Sequence, residues 1–482
     1  MNLTLVLKVT AILLLVISGF MLAPILVAVY YAELDMLPAF VLPIVGVGIV
    51  CGGLLLFVRG RNGELSTRSG FFLVTLSWLS AAAVGAIPFV ISQTIPSYID
   101  AFFETMSGFT TTGATILTDI EALPKSILFW RSLTHWLGGM GIIVLTVAIL
   151  PLLGVSGLQL MRAEAPGPSV DRLTPKITET AKILWLIYLG LTVLETALLM
   201  FGGLSLYEAL THTFGTLATG GFSPKAASVG HYTSAYVHIV ITVFMMGAGI
   251  NFILYYRLLK GQFSIIRRNT EVKAYLGIFA VASLIIAAAL YGRTYAGFGE
   301  SLRFAGFQAA SILTTTGYAT ADFATWPQLA QVVLFILMFI GGSAGSTGGG
   351  MKVIRIVTAV KQGFNEMRYL IHPRGVFAIR LNGVPVRKDV VYNITGLVFL
   401  YLFLLLFTTL FVAIGGHNIL TSVSTALVTL GNIGPGFGRI GPVENYGFYQ
   451  PYIKVYLSLI MMVGRLEVYT VLVLLTPAFW KR

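Results

Sequence analysis

The chain has 482 residues, of which 56% are hydrophobic and only 10% are charged, and its formal net charge is +12. A soluble domain carries about a quarter charged residues, so this composition excludes an ordinary soluble globular protein. The single cysteine, Cys51, excludes an intramolecular disulfide and a metal cluster held by thiolates.

Two apolar segments open the chain, at about residues 5–31 and 39–58. Each is long enough to cross a hydrocarbon core, which needs roughly 20 residues of helix. The first segment is too long for a signal peptide, has little basic character beyond Lys8, and lacks a clear cleavage site. Both segments are therefore predicted to be retained transmembrane helices.

A pattern of three elements then recurs four times: a long apolar helix, a short helix of mixed character with a Thr/Gly-rich loop, and a second long helix. The predicted elements are residues 71–92, 97–109 and 127–153; 183–203, 205–217 and 235–259; 272–291, 299–313 and 329–360; and 390–414, 419–430 and 452–479. The pattern predicts an all-α integral membrane protein with four helix–pore loop–helix repeats around one pore, preceded by the two N-terminal helices. The predicted divisions are 1–67, then repeats at 68–160, 161–262, 263–375 and 376–482.

The positive charge is concentrated in alternate connections between the predicted helices. These basic residues are Arg59, Arg61 and Arg68; Arg162, Arg172, Lys176 and Lys182; Arg257, Lys260, Arg267, Arg268 and Lys273; and Lys361, Arg368, Arg374, Arg380, Arg387 and Lys388. By the positive-inside rule they mark the cytoplasmic side. The net charge therefore indicates topology rather than nucleic-acid binding, with contact to anionic lipid or to a cytosolic partner as a secondary interpretation.

Each short helix is followed by a loop that contains a glycine. The four loops read TTTGAT from residue 110, LATGGF from 217, TTTGYA from 314 and GNIGPG from 431. The matched glycines, Gly113, Gly220, Gly317 and Gly434, are separated by 107, 97 and 117 residues. Irregular backbone at membrane depth persists only where it is buried in protein or lines a cavity. The loops are therefore predicted to be re-entrant and to enter from the side opposite the basic connections.

These loops have the chemistry that a dehydrated potassium ion requires. Potassium channels replace the hydration shell of the ion with a ring of backbone carbonyls. Aiming successive carbonyls at one axis favours glycine, which adopts positive φ without steric cost. The short helices would direct the negative ends of their dipoles toward the same centre. The predicted coordinating residues are Thr111, Thr112, Gly113, Ala218, Thr219, Gly220, Thr315, Thr316, Gly317, Asn432, Ile433 and Gly434.

Over nearly its whole length the chain resembles the TrkH-type potassium uptake proteins of the Trk/Ktr/HKT family. The resemblance rests on the two extra N-terminal helices and on one loop glycine in each of the four repeats. It implies that Gly113, Gly220, Gly317 and Gly434 form a selectivity filter. In plant relatives a serine at the first of these positions is associated with sodium transport, so Gly113 favours potassium. Asn432-Ile433 departs from the threonines of the other loops, which predicts weaker selectivity than in a four-subunit channel.

The resemblance also implies properties that the residues alone do not show. These are a homodimer with one pore per chain, location in the bacterial inner membrane, potassium as the transported ion without a further cofactor, and control by a cytosolic TrkA-type ring that binds nucleotides. Nothing in the chain resembles a nucleotide-binding domain, so any control by nucleotides is expected to come from such a partner.

Two features of the second helices indicate a gate. Residues 341–350 contain six glycines, which disfavour a continuous helix. The resemblance assigns an intramembrane gating loop to Gly345, Ser346, Thr347, Gly348, Gly349 and Gly350, with Lys352 just after it. Arg465 lies in the last apolar segment. A charge inside a membrane is energetically costly, so we interpret this arginine as a functional residue. The alternatives are a tight packing kink at the glycines and a structural ion pair for Arg465, with Glu195 or Glu467 as its partner.

Two other functions remain open at this stage. A secondary symporter coupling potassium to protons or sodium is kept open by Glu195 and Glu467, because intramembrane carboxylates can relay protons. A membrane-embedded enzyme would need clustered catalytic groups, and the sequence has neither a Ser-His-Asp pattern nor a carboxylate pair. Its six histidines have no metal-binding spacing.

Overall fold

The structure is a computed structural model that describes residues 2–58, 66–141 and 177–481. The described chain is helical almost throughout, and its strands are Arg380–Leu381 and Val384–Pro385, which pair antiparallel with Arg380 opposite Pro385. Six described helices are long and apolar enough to cross a membrane, or eight if each of two strongly bent helix pairs is counted as one span. The predicted all-α membrane fold is confirmed.

The N-terminal segment packs against the first repeat. Leu3–Phe20 and Leu22–Tyr30 together form one apolar span, and Leu37–Phe57 is the next helix. These helices contact each other and the helix Thr67–Ile91. The two predicted N-terminal helices are therefore present at the predicted places.

In each repeat a long first helix packs against a short half-helix. The first helices are Thr67–Ile91, Ile177–Phe201, Thr270–Leu290 and Lys388–Ala413, and the half-helices are Tyr98–Phe109, Leu206–Leu217, Phe298–Leu313 and Ile419–Leu430. Three half-helices begin at a side-chain cap: Ser97, Ser205 and Asn418 each accept a backbone N–H of the first turn. The half-helices end at the four residues that the sequence predicts.

Within the described residues, the second helix of every repeat departs from a straight α-helix. The second helices are Lys125–Trp136, which leads into the π-helical turn Leu137–Gly141; Ala235–Ala248 and Phe252–Leu259, bent by 97°; Gln328–Leu337 and Val353–Ile371; and Pro451–Arg465 and Tyr469–Leu475, bent by 114°. The interruption predicted in the third repeat is confirmed. The continuous helices predicted at 235–259 and 452–479 are wrong, because the backbone turns sharply after Gly249 and after Arg465.

Shorter elements complete the described chain. They are the helices Phe263–Arg268 and Pro477–Trp480 and the 3₁₀ turns Leu34–Met36, Ser228–His231, Phe323–Thr325 and Gly438–Ile440. The predicted continuation of the first repeat's second helix to residue 153 lies outside the described residues. The same holds for the basic residues Arg59, Arg61, Arg162, Arg172 and Lys176.

The four repeats are arranged in a circle. The half-helix of the second repeat packs against the second helix of the first, that of the third against the second helix of the second, and that of the first against the second helix of the fourth. The loops after the half-helices, with their polar side chains, are almost fully buried inside this circle. The fold thus brings four glycine-containing loops, distant from one another along the chain, to one centre.

Candidate functional site

The four loops, called loops 1 to 4, adopt the same backbone conformation. The second residue after each half-helix has positive φ: Thr111 at 52°, Thr219 at 56°, Thr315 at 61° and Asn432 at 55°. The fourth residue is a glycine that also has positive φ: Gly113 at 78°, Gly221 at 78°, Gly317 at 82° and Gly434 at 93°. Non-glycine residues seldom adopt positive φ. Four such residues at equivalent positions therefore indicate a strained backbone that the surrounding structure holds in place.

The hydrogen bonds of the loops repeat in the same register. The third residue of each loop donates its N–H to a carbonyl five residues earlier: Thr112 to Ser107 at 2.9 Å, Gly220 to Gly215 at 2.8 Å, Thr316 to Ser311 at 2.8 Å and Ile433 to Val428 at 2.9 Å. Gly220 is therefore equivalent to Thr112, Thr316 and Ile433. The sequence alignment of Gly220 with Gly113 is wrong by one residue, and Gly221 is the glycine in register.

The glycines close a ring from loop to loop. A Cβ atom on Gly113 would overlap the carbonyl oxygen of Gly220, one on Gly221 that of Thr316, and one on Gly317 that of Ile433. A Cβ on Gly434 would lie 2.6 Å from the carbonyl oxygen of Thr112, which returns the contacts to loop 1. Glycine is thus required at each position for two reasons: the backbone has positive φ, and the neighbouring loop leaves no space for a Cβ atom.

Side-chain contacts differ between the loops. In loop 1 the hydroxyls of Thr110 and Thr112 lie 2.8 Å apart, and in loop 3 those of Thr314 and Thr316 lie 2.7 Å apart. Loop 2 has Ala218 and Gly220 at these positions, and the ring of His135 occupies the space beside Gly220. The fourfold symmetry is therefore one of backbone, while the side chains that support the loops differ.

Loop 4 is tied to its surroundings by an amide side chain instead. Asn432 Nδ2 donates to Thr112 Oγ1 at 3.0 Å and to the carbonyl of Met461 at 2.8 Å. The hydroxyl of Tyr446 donates to the carbonyl of Gly434 at 2.6 Å. Loop 4 departs from the other three as the sequence predicts, and the departure is in its side chains.

The glycine-rich segment, residues 341–350, lies against loops 3 and 4. Gly349 donates its N–H to Thr315 Oγ1 at 2.6 Å, and a Cβ atom on Gly349 would lie 2.7 Å from the carbonyl oxygen of Gly431. Thr315 is the second residue after the half-helix Phe298–Leu313, so it lies at the end of loop 3 next to that half-helix. The segment therefore meets loops 3 and 4 at the ends that are next to their half-helices.

The glycine-rich segment also contacts the break in the second helix of the second repeat. Ser343 donates its N–H to the carbonyl of Gly249 at 2.9 Å, and Thr347 Oγ1 donates to the carbonyl of Ala248 at 3.1 Å. Phe252 N–H returns a bond to the carbonyl of Gly345 at 3.0 Å. The segment is thus held by backbone bonds to a neighbouring repeat as well as to the loops.

Cationic side chains surround the same segment. Arg465 donates from Nη1 to the carbonyl of Thr347 at 2.6 Å and from Nη2 to those of Gly138 and Gly139 at 2.9 and 2.8 Å. Lys352 donates its ammonium to the carbonyl of Gly348. Arg465 thereby connects the segment to the π-helical turn of the first repeat.

The structure corrects the expected surroundings of Arg465. Its helix ends at Arg465 itself, so the residue is not inside a continuous helix. Glu467 forms an ion pair with Arg355, at the start of the helix that follows the glycine-rich segment. Glu195 is fully buried beside Thr216 of the second half-helix. The sequence predictions of residues 111–113, 218–220, 315–317 and 432–434 and of the gate residues 345–350, 352 and 465 are thus brought into one connected region.

Sequence reasoning missed four residues of this region. They are Gly221, Arg355, Glu104 and Arg131, the last two of which form a buried ion pair behind loops 1 and 2. Charged residues within otherwise apolar helices were the available signal for Arg131, Glu104 and Arg355. For Gly221 the signal was its constant distance of four residues from the half-helix end, as in Phe109 to Gly113 and Leu217 to Gly221.

Comparison with known proteins gives consistent results. The profile of the TrkH family, described as "Cation transport protein", matches residues 39–284 and 295–482. The chain is 40% identical over 479 residues to the Trk system potassium uptake protein TrkH of Escherichia coli K12, covering 98% of each chain. It is also 40% identical over 492 residues to the protein of the same name from Halomonas elongata, covering all of both.

A solved structure has the same fold. The crystal structure of the potassium transporter TrkH from Vibrio parahaemolyticus superposes with a TM-score of 0.89 at 37% sequence identity, covering 100% of both chains.

Proposed function

The chain belongs to the TrkH family of cation transport proteins, and from that premise we propose that it takes up potassium ions across the bacterial inner membrane through a channel-like pore between its four repeats. The observation that carries this proposal is the closed ring of Gly113, Gly221, Gly317 and Gly434. The potassium transport named for the relatives supports the choice of ion.

The ring of loops acts as the selectivity filter. Its carbonyl oxygens replace the hydration shell of the ion, as backbone carbonyls do in potassium channels. Residues 111–113, 219–221, 315–317 and 432–434 supply the coordinating backbone, with the second triplet shifted by one residue from the sequence prediction. The half-helices direct the negative ends of their dipoles toward the centre and favour a cation there.

Selectivity for potassium depends on how similarly the four loops position their carbonyl oxygens. Loops 1 and 3 have matching threonine pairs, whereas loop 2 has Gly220 and loop 4 has Ile433 at the third position. The Tyr446 hydroxyl already engages the Gly434 carbonyl. These inequalities support a potassium preference weaker than that of a channel with four identical subunits.

The glycine-rich segment and Arg465 close the pore on the inner side of the filter. The bond from Gly349 to Thr315, at the end of loop 3 next to its half-helix, supports this position. Because its residues are mostly glycine, the segment can withdraw without breaking a rigid helix. Lys352, which bonds Gly348, belongs to the same closure and leads directly into the helix Val353–Ile371.

Charge adds to this steric closure. A guanidinium stays ionised under ordinary conditions. At roughly 4 Å and an effective dielectric near 20, it repels a potassium ion by about 4 kcal/mol. The contacts of Arg465 with Thr347, Gly138 and Gly139 fix that charge between the glycine-rich segment and the first repeat. Withdrawal of the segment would break the contact of Arg465 with Thr347.

Coupling to protons or sodium is the second candidate function, and of its two candidate carboxylates, Glu195 and Glu467, Glu195 still favours it. Glu467 is paired with Arg355, which makes it a structural partner rather than a free proton carrier. Glu195 is fully buried in an apolar helix, where a lone carboxylate is costly. Reversal potentials measured in paired potassium and proton gradients separate the candidates, because a channel follows the potassium gradient alone.

A cytosolic partner of the TrkA type would dock on the basic loops. The basic connections at residues 257–273 and 361–388 contact each other. Thr270 N–H donates to Asn382 Oδ1 at 2.7 Å, and Asn382 N–H donates to Thr270 Oγ1 at 2.9 Å. The two connections thus form one surface, on which Arg267 and Arg268 are exposed. Changing both arginines to Glu should weaken copurification with such a ring; binding at the parent level in moderate salt would contradict the docking site.

The experiment that tests the function is ion flux into liposomes that contain only this chain. Potassium and sodium are supplied separately at equal concentrations, and entry is followed under an imposed potential. The proposal predicts low basal flux that favours potassium. Equal entry of both ions, or flux that requires a proton gradient, would contradict it. The homodimer expected from the resemblance is tested in the same preparation by cross-linking.

A further inference from the structure

A buried ion pair lies behind the ring, between the half-helix and the second helix of the first repeat. Arg131 Nε and Glu104 Oε1 are 2.7 Å apart, and their side chains are 3% and 0% exposed. Burying two charges costs desolvation energy that their attraction repays only when the geometry is good and the remaining polar atoms are bonded. The hydrogen bonds from this pair to the loops are therefore needed to offset the cost of burying the two charges.

The glutamate end of the pair holds loop 1. Thr115 Oγ1 donates to Glu104 Oε1 at 2.8 Å, and Ile116 N–H donates to Glu104 Oε2 at 2.9 Å. These residues follow Gly113 by two and three positions. The carboxylate thus fixes the chain as it leaves the ring.

The arginine end of the pair holds loop 2. Arg131 Nη1 donates to the carbonyl of Ser223 at 3.1 Å, and its guanidinium lies 3.5 Å from the centre of the Phe222 ring. These residues follow Gly221 by one and two positions, so the arginine holds loop 2 one position closer to the ring glycine than the glutamate holds loop 1. His135, one turn after Arg131, stacks on Phe222 at 3.9 Å and occupies the space that a side chain at Gly220 would need.

We propose that Glu104 and Arg131 are positioning residues that set the spacing between loops 1 and 2 and thereby the potassium preference of the filter. The inference rests on the proposed function. Because one guanidinium bonds both Glu104 and the Ser223 carbonyl, the two loops move as a unit. Loop 2 lacks the threonine pair of loops 1 and 3, so it depends on this external support.

A second ion pair on the same half-helix provides a matched control. Asp100, one turn before Glu104, accepts from Lys454 Nζ at 2.7 Å. Lys454 belongs to the second helix of the fourth repeat, so this pair joins two helices and not two loops. Asp100→Asn therefore removes a charge from the same helix without changing a loop contact.

The experiment compares Arg131→Lys, Glu104→Gln and Asp100→Asn in liposomes, with thermal unfolding measured on each purified chain. A lysine keeps the charge but has no planar fork to reach Glu104 and Ser223 together. We expect Arg131→Lys and Glu104→Gln to lower the potassium-to-sodium permeability ratio by about fivefold, the effect of one lost hydrogen bond. Asp100→Asn should keep the ratio of the parent chain.

A fourth variant covers the case in which a single substitution prevents folding. The double variant Glu104→Gln with Arg131→Met removes both buried charges together, which is often neutral for stability. It should fold and show the same reduced ratio. A parental ratio in the folded double variant, or an equal drop in Asp100→Asn, would overturn the inference.

The outcome is also separable from failure of the proposed filter. If Gly113→Ser lowers the ratio while Arg131→Lys, Glu104→Gln and the double variant keep it, the filter stands and the positioning role fails. If Gly113→Ser leaves the ratio of the parent chain unchanged, the filter itself has failed.

Discussion

The four loops share one backbone conformation, whereas the four second helices do not. The loops repeat one backbone four times, with positive φ at the same two positions and the same hydrogen bond in each. The second helices depart from a straight α-helix in three ways: by a π-helical turn in the first repeat, by a sharp bend in the second and fourth, and by the glycine-rich segment in the third. An ion needs equivalent oxygens from every side, whereas a passage is closed by a single obstruction. The difference therefore separates the selecting region from the closing region.

The largest effect is expected from a substitution that makes one loop differ from the other three. Gly113→Ser adds a side chain where φ is 78° and where a Cβ overlaps the carbonyl oxygen of Gly220. Strain of this kind costs about 1–3 kcal/mol, so the potassium-to-sodium permeability ratio should fall by roughly tenfold. Liposome flux measures it, with Gly277→Ser as the control because a Cβ there meets nothing within 4 Å. An unchanged ratio would remove Gly113 from the filter.

The next effect concerns closure alone. Arg465→Ala removes the charge that is bonded to Thr347, Gly138 and Gly139, so basal potassium flux should rise by up to about tenfold, which is part of a barrier of about 4 kcal/mol. Deleting residues 345–348 should also raise the flux. Arg465→Lys is the control, since it keeps a positive charge and should stay closer to the parent. Folded variants that conduct no faster would place the barrier elsewhere.

A smaller effect is expected from the ion pair beside the closing region. Glu467 pairs with Arg355 next to Val468, whose φ of 65° and ψ of −64° form a strained turn. Glu467→Gln leaves Arg355 with a weakened pair, so the unfolding free energy should fall by up to about 3 kcal/mol and basal flux should rise. The exposed pair of Arg387 and Asp389 supplies the control, because Asp389→Asn should change neither measurement.

The smallest effect tests the contact between the two regions. Thr315→Val removes the hydroxyl that accepts the N–H of Gly349, and the loss of about 1 kcal/mol should raise basal flux about fivefold. Thr111→Val is matched to it, since Thr111 has the same backbone position in loop 1 and its buried hydroxyl has no hydrogen-bond partner within the described residues. Equal fluxes in the two variants would mean that the Gly349 contact does not hold the segment closed.

The sequence predicts the selecting region better than the closing one. Half-helix ends at Phe109, Leu217, Leu313 and Leu430 follow from composition, because short mixed helices before Thr/Gly loops cannot span a membrane. The adjacent glycines Gly220 and Gly221 make the register ambiguous in composition, and only distance from the helix end resolves it. The bends at Gly249 and Arg465 escape prediction because apolar segments of that length are typical of continuous helices.

Long-range contacts explain what else the sequence does not contain. The bond between Gly349 and Thr315 joins residues 34 positions apart, and the pair of Arg355 and Glu467 spans 112. Neither spacing belongs to a helix or strand period, so no local pattern predicts them. Glu104 and Arg131 stand out as charges in buried helices, yet their roles on loops 1 and 2 follow only from three-dimensional contacts.

The most direct test of separate selecting and closing regions is the double variant Gly113→Ser with Arg465→Ala. Potassium and sodium flux would be measured in liposomes beside both single variants. Effects at sites without shared partners add within about 0.5 kcal/mol. The account predicts the raised flux of Arg465→Ala together with the reduced potassium-to-sodium ratio of Gly113→Ser. A ratio restored to that of the parent, or flux held at the parent level, would contradict the division between the loops and the glycine-rich segment.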